Sequence, residues 1–320
     1  MKQNGTFDQF DVIHCWSIAS FALAVLLFRN TPRFVTLTCA PTSKQIRWMR
    51  SLAGAAAGGT AMLPISNTIR RELLMHGIDE SNVHVLRPAI DMAMVPHGDR
   101  DRLRESWSID ESTRMIALLG DPVTEVDSMD VGMALILIHD AMLDQPDPAK
   151  HIERVCLLVH PDFRHRIPAK SMVDQYLGRK DVIVEPQLSE PWKILPGCDI
   201  AINMECGGGG LSLLWAMAAN VPIVAEASYA ISEIVEDRHS CLLVKPGQTK
   251  ALAHRVTQLL EDQHQAWSLR DQARNEAFSF FSANQYCQNL KLVYEQMIEG
   301  QPIKVPDLQV TGGLRFSGRA

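Results

Sequence analysis

Several things are missing from this chain. It has no Cys-x-x-Cys pair and no Cys/His cluster at metal-ligand spacing. The seven cysteines are scattered and odd in number, which argues for a reducing, cytoplasmic compartment and against a disulfide framework. There is no basic excess either. Lys and Arg total 31 against 37 Asp and Glu, a net charge of −6, so the global electrostatic signature of a nucleic-acid binder is absent. No segment reaches the roughly 20 apolar residues that a bilayer helix needs. The first apolar stretch, Ile18 to Phe28, is only about half that length. It follows the acidic FDQFDV rather than a basic signal-peptide start, and reads as a buried helix. Internal repeats of 20–50 residues are also absent. What remains is 46 % hydrophobic and 21 % charged over 320 residues, which suits a globular chain of one large or two medium domains.

The most informative stretch runs from Cys198 to Ala225. Asp199 to Asn203 has strand character. Four consecutive glycines follow, Gly207, Gly208, Gly209 and Gly210. Leu211 to Ala219 is a set of helix formers that Asn220 stops, and Val221 to Ala225 is a second apolar strand. Glycines that open a helix after a strand let backbone N–H groups approach an anion, which the helix dipole also favours. The same pattern serves a tight turn with close helix–sheet packing, and the residues alone leave both readings open.

Around this stretch, strands and helices alternate. Strands are expected at 10–14, 33–38, 61–65 and 83–87, with helices behind Ser17, Ser43 and Ser66 as capping residues and Gly77 closing the third. A polar, irregular segment from Pro88 to Ser112 contains a helix near 100–107. Further strands are expected at 114–119, 155–159 and 182–185, and helices at 131–143, 169–177, 250–261, 263–281 and 283–298; a helical turn is expected at 190–195. Such alternation indicates a parallel α/β sheet.

The run Gly-x-Gly-Leu-x-Leu-Leu-x-Ala-Met-Ala-x-x-x-Pro-Ile-Val-Ala, with Glu233-Ile-Val-Glu-Asp237 and Cys241-Leu-Leu-Val-Lys-Pro-Gly247 behind it, resembles the C-terminal half of family 4 glycosyltransferases. The resemblance implies a GT-B fold: two Rossmann-like domains with a cleft between them, the N-terminal one shortened. It divides the chain into a reduced N-terminal domain (1–98), a connection (99–112), a nucleotide-sugar-binding-type domain (113–282), a crossover helix (283–299) and a loose tail (300–320). It also implies retaining transfer of a sugar from a nucleotide-diphospho-sugar to an unknown acceptor, with no metal and no other cofactor. The donor would lie against Gly207, Gly208, Gly209, Gly210 and Leu211, with Glu233 near it.

The residues that carry chemistry in the resembling family are mostly replaced. Its Arg and Lys would stabilise charge on the departing diphosphate. Aligned on Gly120, their positions hold Asp121 and Val126 in an acidic loop. Its two Glu positions fall on Gly207 and Trp215, leaving Glu205, two residues upstream, as a substitute carboxylate and Trp215 as a packing residue. On the "D-V-I-H" strand His14 is present, as a catalytic candidate or a satisfied structural histidine, but Trp16 stands where a second His is usual. Replacement cations distant in sequence are Arg164, His165, Arg166 and Lys245. The resemblance therefore implies either an active glycosyltransferase with displaced donor contacts or an inactive relative. The inactive relative would bind a glycan, or a protein partner at the open N-terminal sheet edge.

Overall fold

The computed structural model describes residues 10–55, 59–95, 100–120, 125–143, 154–159, 182–184, 190–204 and 210–306. They fall into two compact units, one reaching to Ala89 and resuming at Ala283, the other running from Ile90 to Ser282.

The first unit is built on strands β1 (Ile13–Cys15), β2 (Arg33–Leu37) and β3 (Thr60–Pro64), paired in parallel in the order β1-β2-β3. Helices α1 (Ile18–Leu27), α2 (Ser43–Ala55) and α3 (Asn67–Met75) cover one face. Phe21, Ile46, Met49, Ile69 and Leu73 pack there on Val35 and Met62. The last helix of the chain, Ala283–Ile298, covers the other face through Val293, against Phe34, Ala61 and Leu63. With both faces covered, all five residues of β2 are buried.

Local chemistry explains the helix starts. Ser17 and Ser20 form a reciprocal capping box at α1. At α2 the cap is Thr42 rather than the expected Ser43. Thr42 Oγ1 accepts from Gln45 N at 3.3 Å, and Gln45 Oε1 accepts from Thr42 N at 2.8 Å. Ser66 caps α3 as expected, and Gly77 follows that helix at φ +81°.

Three further expectations change in this unit. Val83–Arg87 is not a regular strand. It makes one bridge to Met62, with His84 N and Leu86 N donating to Met62 O and Pro64 O; Pro64 has no N–H to give back. The helix expected to be buried, α1, is half exposed, because it lies beside the edge strand β1 and only part of its circumference meets the sheet and α2. The beginning of the expected loose tail is docked: Ile303 and Val305 pack with the last helix, and Lys304 N donates to Gln296 Oε1 at 2.7 Å.

The second unit has six parallel strands: β4 (Thr113–Leu119), β5 (Arg154–Val159), β6 (Val182–Val184), β7 (Ile200–Asn203), β8 (Ile223–Glu226) and β9 (Leu242–Val244). Their order is β6-β5-β4-β7-β8-β9, the doubly wound arrangement whose strand order reverses between β4 and β7. Among the described residues its helices are α4 (Arg100–Ser106), α5 (Glu125–Leu143), α6 (Leu211–Ala218), α7 (Thr249–Glu261) and α8 (Gln263–Phe280); the last helix is α9. Helices α5 and α7 cover one face through Ile138, Met142, Val256 and Leu259. Helix α6 and the C-terminal half of α8 cover the other. The expected helical turn at 190–195 is two 3-10 turns, Pro191–Lys193 and Leu195–Gly197.

Helix α5 starts at Glu125, earlier than the apolar pattern at 131 suggested. The segment from Ile90 to Ser112 packs with this second unit. Ile90, Val95 and Ile109 enter its core, and Ile90 N donates to Phe281 O at 2.9 Å. Arg104 is buried and donates to Asp110 O, to Thr113 O and, at 3.2 Å, to Asp199 Oδ2. The helix expected at 169–177 lies outside the described residues.

Candidate functional site

Open parallel sheets bind ligands outside the carboxyl ends of their strands, where the strand order reverses. Here that point lies after Leu119 and Asn203. Gly120 follows β4 at φ +81°, and Met204 N donates to Leu119 O at 3.2 Å, keeping the two strand ends in step. Asn203 is fully buried and its Nδ2 donates to Ser212 Oγ at 2.9 Å. This bond ties the end of β7 to the first turn of α6.

Gly210 is the N-cap residue of α6, at φ +71°. A Cβ there would lie 2.2 Å from Ile234 Cδ1. A residue with a side chain would therefore be strained twice, by conformation and by collision. The first N–H groups of a helix lie outside its own hydrogen-bond ladder, and Gly210 brings those of α6 close behind a bare backbone. Leu211 opens the helix and is exposed. Glu233 ends the short turn Ile231–Glu233, directly before the Ile234 that touches Gly210. It is not the cap of that turn, because Ser228 Oγ accepts from Ile231 N at 3.2 Å.

Glu226 ends β8 and is buried; its Oε1 accepts from Gly247 N at 3.3 Å. Lys245 follows β9 and is exposed. Asn203 and Glu226 escaped sequence reasoning. Their signal was available: each is a polar residue closing an otherwise apolar strand. Among the described residues, no three His, Cys, Asp or Glu side chains gather where they could hold a metal ion.

Trp215 is buried in the core of the second unit, its ring 4.6 Å from that of Trp192, which fits the packing role. The backbone of Val126 lies in the first turn of α5. Asp121, Glu205, Gly207, Gly208 and Gly209, and the candidate cations Arg164, His165 and Arg166, lie outside the described residues. The structure thus brings together Gly210, Leu211 and the Glu233 turn.

In the first unit both ring nitrogens of His14 are engaged, Nδ1 with Tyr294 Oη at 2.9 Å and Nε2 with Thr36 Oγ1 at 2.8 Å. Trp16 stacks on the ring at 4.4 Å while remaining exposed. Burial pushes the His14 pKa down to about 4, so it is neutral near pH 7. This is the environment of a satisfied structural histidine.

A cavity of about 560 Å³ lies at the opposite, amino ends of the strands, beside Arg114, Asp199, Val221, Trp267 and Arg270. Asp199 there accepts from Arg100, Arg104 and Met115 N. It anchors α4 to the sheet, and the cavity is at the wrong end for the ligand geometry of this fold.

Residues 163–278 match the family model described as "Glycosyl transferases group 1". The match spans the α6 turn, β8, β9, α7 and most of α8. Solved structures agree in architecture. The Anabaena protein Alr3699/HepE in complex with UDP and glucose superposes with a TM-score of 0.70 at 16 % identity, over 88 % of this chain and 77 % of that one. The fold is of the GT-B type. Sucrose-phosphate synthase from Thermosynechococcus elongatus gives 0.71 at 16 % identity, over 91 % and 75 %. A glycosyltransferase from Rickettsia africae gives 0.71 at 16 %, over 91 % and 78 %. No curated protein sequence matches the chain significantly. The GT-B architecture accounts for the two parallel sheets, and at 16 % identity the likeness fixes the fold alone.

Proposed function

We propose that this protein is a glycosyltransferase of the GT-B type that transfers a sugar from a nucleotide-diphospho-sugar to an acceptor. The observation that carries the reading is the close approach of Gly210 to Ile234 at the amino end of α6. It leaves no room for a side chain at a helix start on the ligand-binding edge of the sheet, where a diphosphate meets backbone N–H groups. The family match over 163–278 supports it, as does the likeness in fold to a protein solved with UDP and glucose. The glycine turn Gly207–Gly210 with Leu211 would hold the diphosphate. Glu233 would meet the sugar or ribose, and Glu205 is the nearest carboxylate upstream of the turn.

The replaced family positions favour a second reading, a non-catalytic GT-B relative of the family 4 type. Trp215 is core material rather than a ribose ligand, and His14 spends both nitrogens on neighbours. In that reading the open edge of β1 receives a strand from a partner chain.

Thermal denaturation with millimolar UDP, GDP and ADP, each with and without magnesium, separates the two. A nucleotide at about a hundred times its dissociation constant stabilises the fold by roughly 2.7 kcal/mol. The transferase reading expects a clear rise in Tm with one nucleotide and slow release of that nucleotide from its sugar conjugate. A well-folded sample that responds to none of them removes the donor site.

A further inference from the structure

From Val12 to Arg71 the sequence has no Asp or Glu and seven Lys or Arg, in a chain whose net charge is −6. This acid-free tract builds the sheet and the first two helices of the first unit. Within it, α1 has no charged residue, yet Leu23, Leu26 and Leu27 are 58 %, 62 % and 58 % exposed. They form one outward stripe, while Phe21, Ala24 and Val25 face the sheet. A helix that is apolar all round belongs in a core or a lipid environment.

The neighbouring α2 turns Ile46 and Met49 inward, and Lys44, Arg47 and Trp48 are among its exposed residues. Arg29, just behind α1, is also exposed. Leucines, a tryptophan and cations on adjoining outer helix faces, with no acid in the tract that builds them, are the composition of a membrane-surface element. Among the described residues no helix is long and apolar enough to cross a membrane, so the face would lie on a bilayer rather than span it.

We propose that the α1–α2 face docks on an anionic membrane surface. The three leucines enter the headgroup–acyl boundary, Trp48 sits at the interface, and Arg29, Lys44 and Arg47 meet lipid phosphates. Charge complementarity selects this occupant: the tract is purely cationic although the whole chain is anionic, and an anionic bilayer supplies apolar depth and negative charge together. The inference does not depend on the sugar-transfer reading.

The test is co-sedimentation of the full chain with vesicles of phosphatidylcholine alone or with about 30 % phosphatidylglycerol, at low and high salt. Binding is expected only to the anionic vesicles and should weaken with salt. The Lys44→Glu/Arg47→Glu and the Leu26→Ser/Leu27→Ser variants should each bind at least about tenfold more weakly, with unchanged Tm. Lys291→Glu, an exposed cation on α9, should bind normally. Absence of vesicle binding, equal binding to neutral vesicles, or binding that survives either pair of substitutions overturns the proposal. So does light scattering that shows a stable dimer broken by the leucine pair, because the face would then be a protein interface.

Discussion

Among the described residues, two short α-helices lack charged residues, and they meet opposite fates. Helix α6, LSLLWAMA, is buried from Leu213 to Ala218 between the six-stranded sheet, Trp192 and α8. Helix α1, IASFALAVLL, is as apolar but leaves three leucines in solvent. The difference lies in the strands beneath them. Helix α6 follows β7, an interior strand of its sheet, whereas α1 follows β1, an edge. Apolar composition states how much surface a helix must hide, and strand order decides how much of it the rest of the chain can cover.

The comparison can be broken most directly by truncating one side chain on each helix. Trp215→Ala on α6 should cost about 3–5 kcal/mol in denaturant unfolding, from lost burial and the cavity left beside Trp192. Leu26→Ser on α1 should change stability by no more than about 0.5 kcal/mol. Equal losses would mean that α1 is covered in solution.

Gly210→Ala sharpens the α6 side. Positive φ and collision with Ile234 should together cost about 1–3 kcal/mol. If the turn also holds the donor, a nucleotide-induced Tm shift should shrink with it.

A further effect lies on the first unit and depends on pH. His14 takes a proton near pH 6.5 when unfolded and only near about 4 when folded. Between these values the unfolded state binds more protons, so stability is full above pH 6.5 and declines as the pH falls toward 4. His84, also shifted down by burial, acts in the same direction. Denaturation at pH 7 and pH 5 should show wild type losing stability and His14→Gln losing less. An identical loss in the variant would assign the effect elsewhere.

Much of this was legible in advance. The strands expected from Arg33, Ala61 and Arg114 and the helices expected from Lys250, Gln263 and Ala283 start within one residue of those positions, and Ser17 and Ser66 cap their helices, because these features follow from local rules: alternation, side-chain caps and helical periodicity. Four consecutive glycines look alike in sequence. Ile234, brought in from 24 positions away, shows why Gly210 in particular must lack a side chain. Glu226 and Asn203 were missed because a polar residue closing an apolar strand is also the ordinary signal of a strand end.

By itself, then, the sequence determined the parallel α/β class, the element spacing and the resemblance of its C-terminal half, because these rest on contacts between residues near each other in the chain. Only the tertiary structure decided that Ile90 to Ser112 joins the second unit, that His14 is held by Thr36 and Tyr294, and that α1 keeps a bare leucine stripe. Those outcomes depend on which distant segments become neighbours. That is set by strand order and burial summed over each whole unit, and no local pattern encodes it.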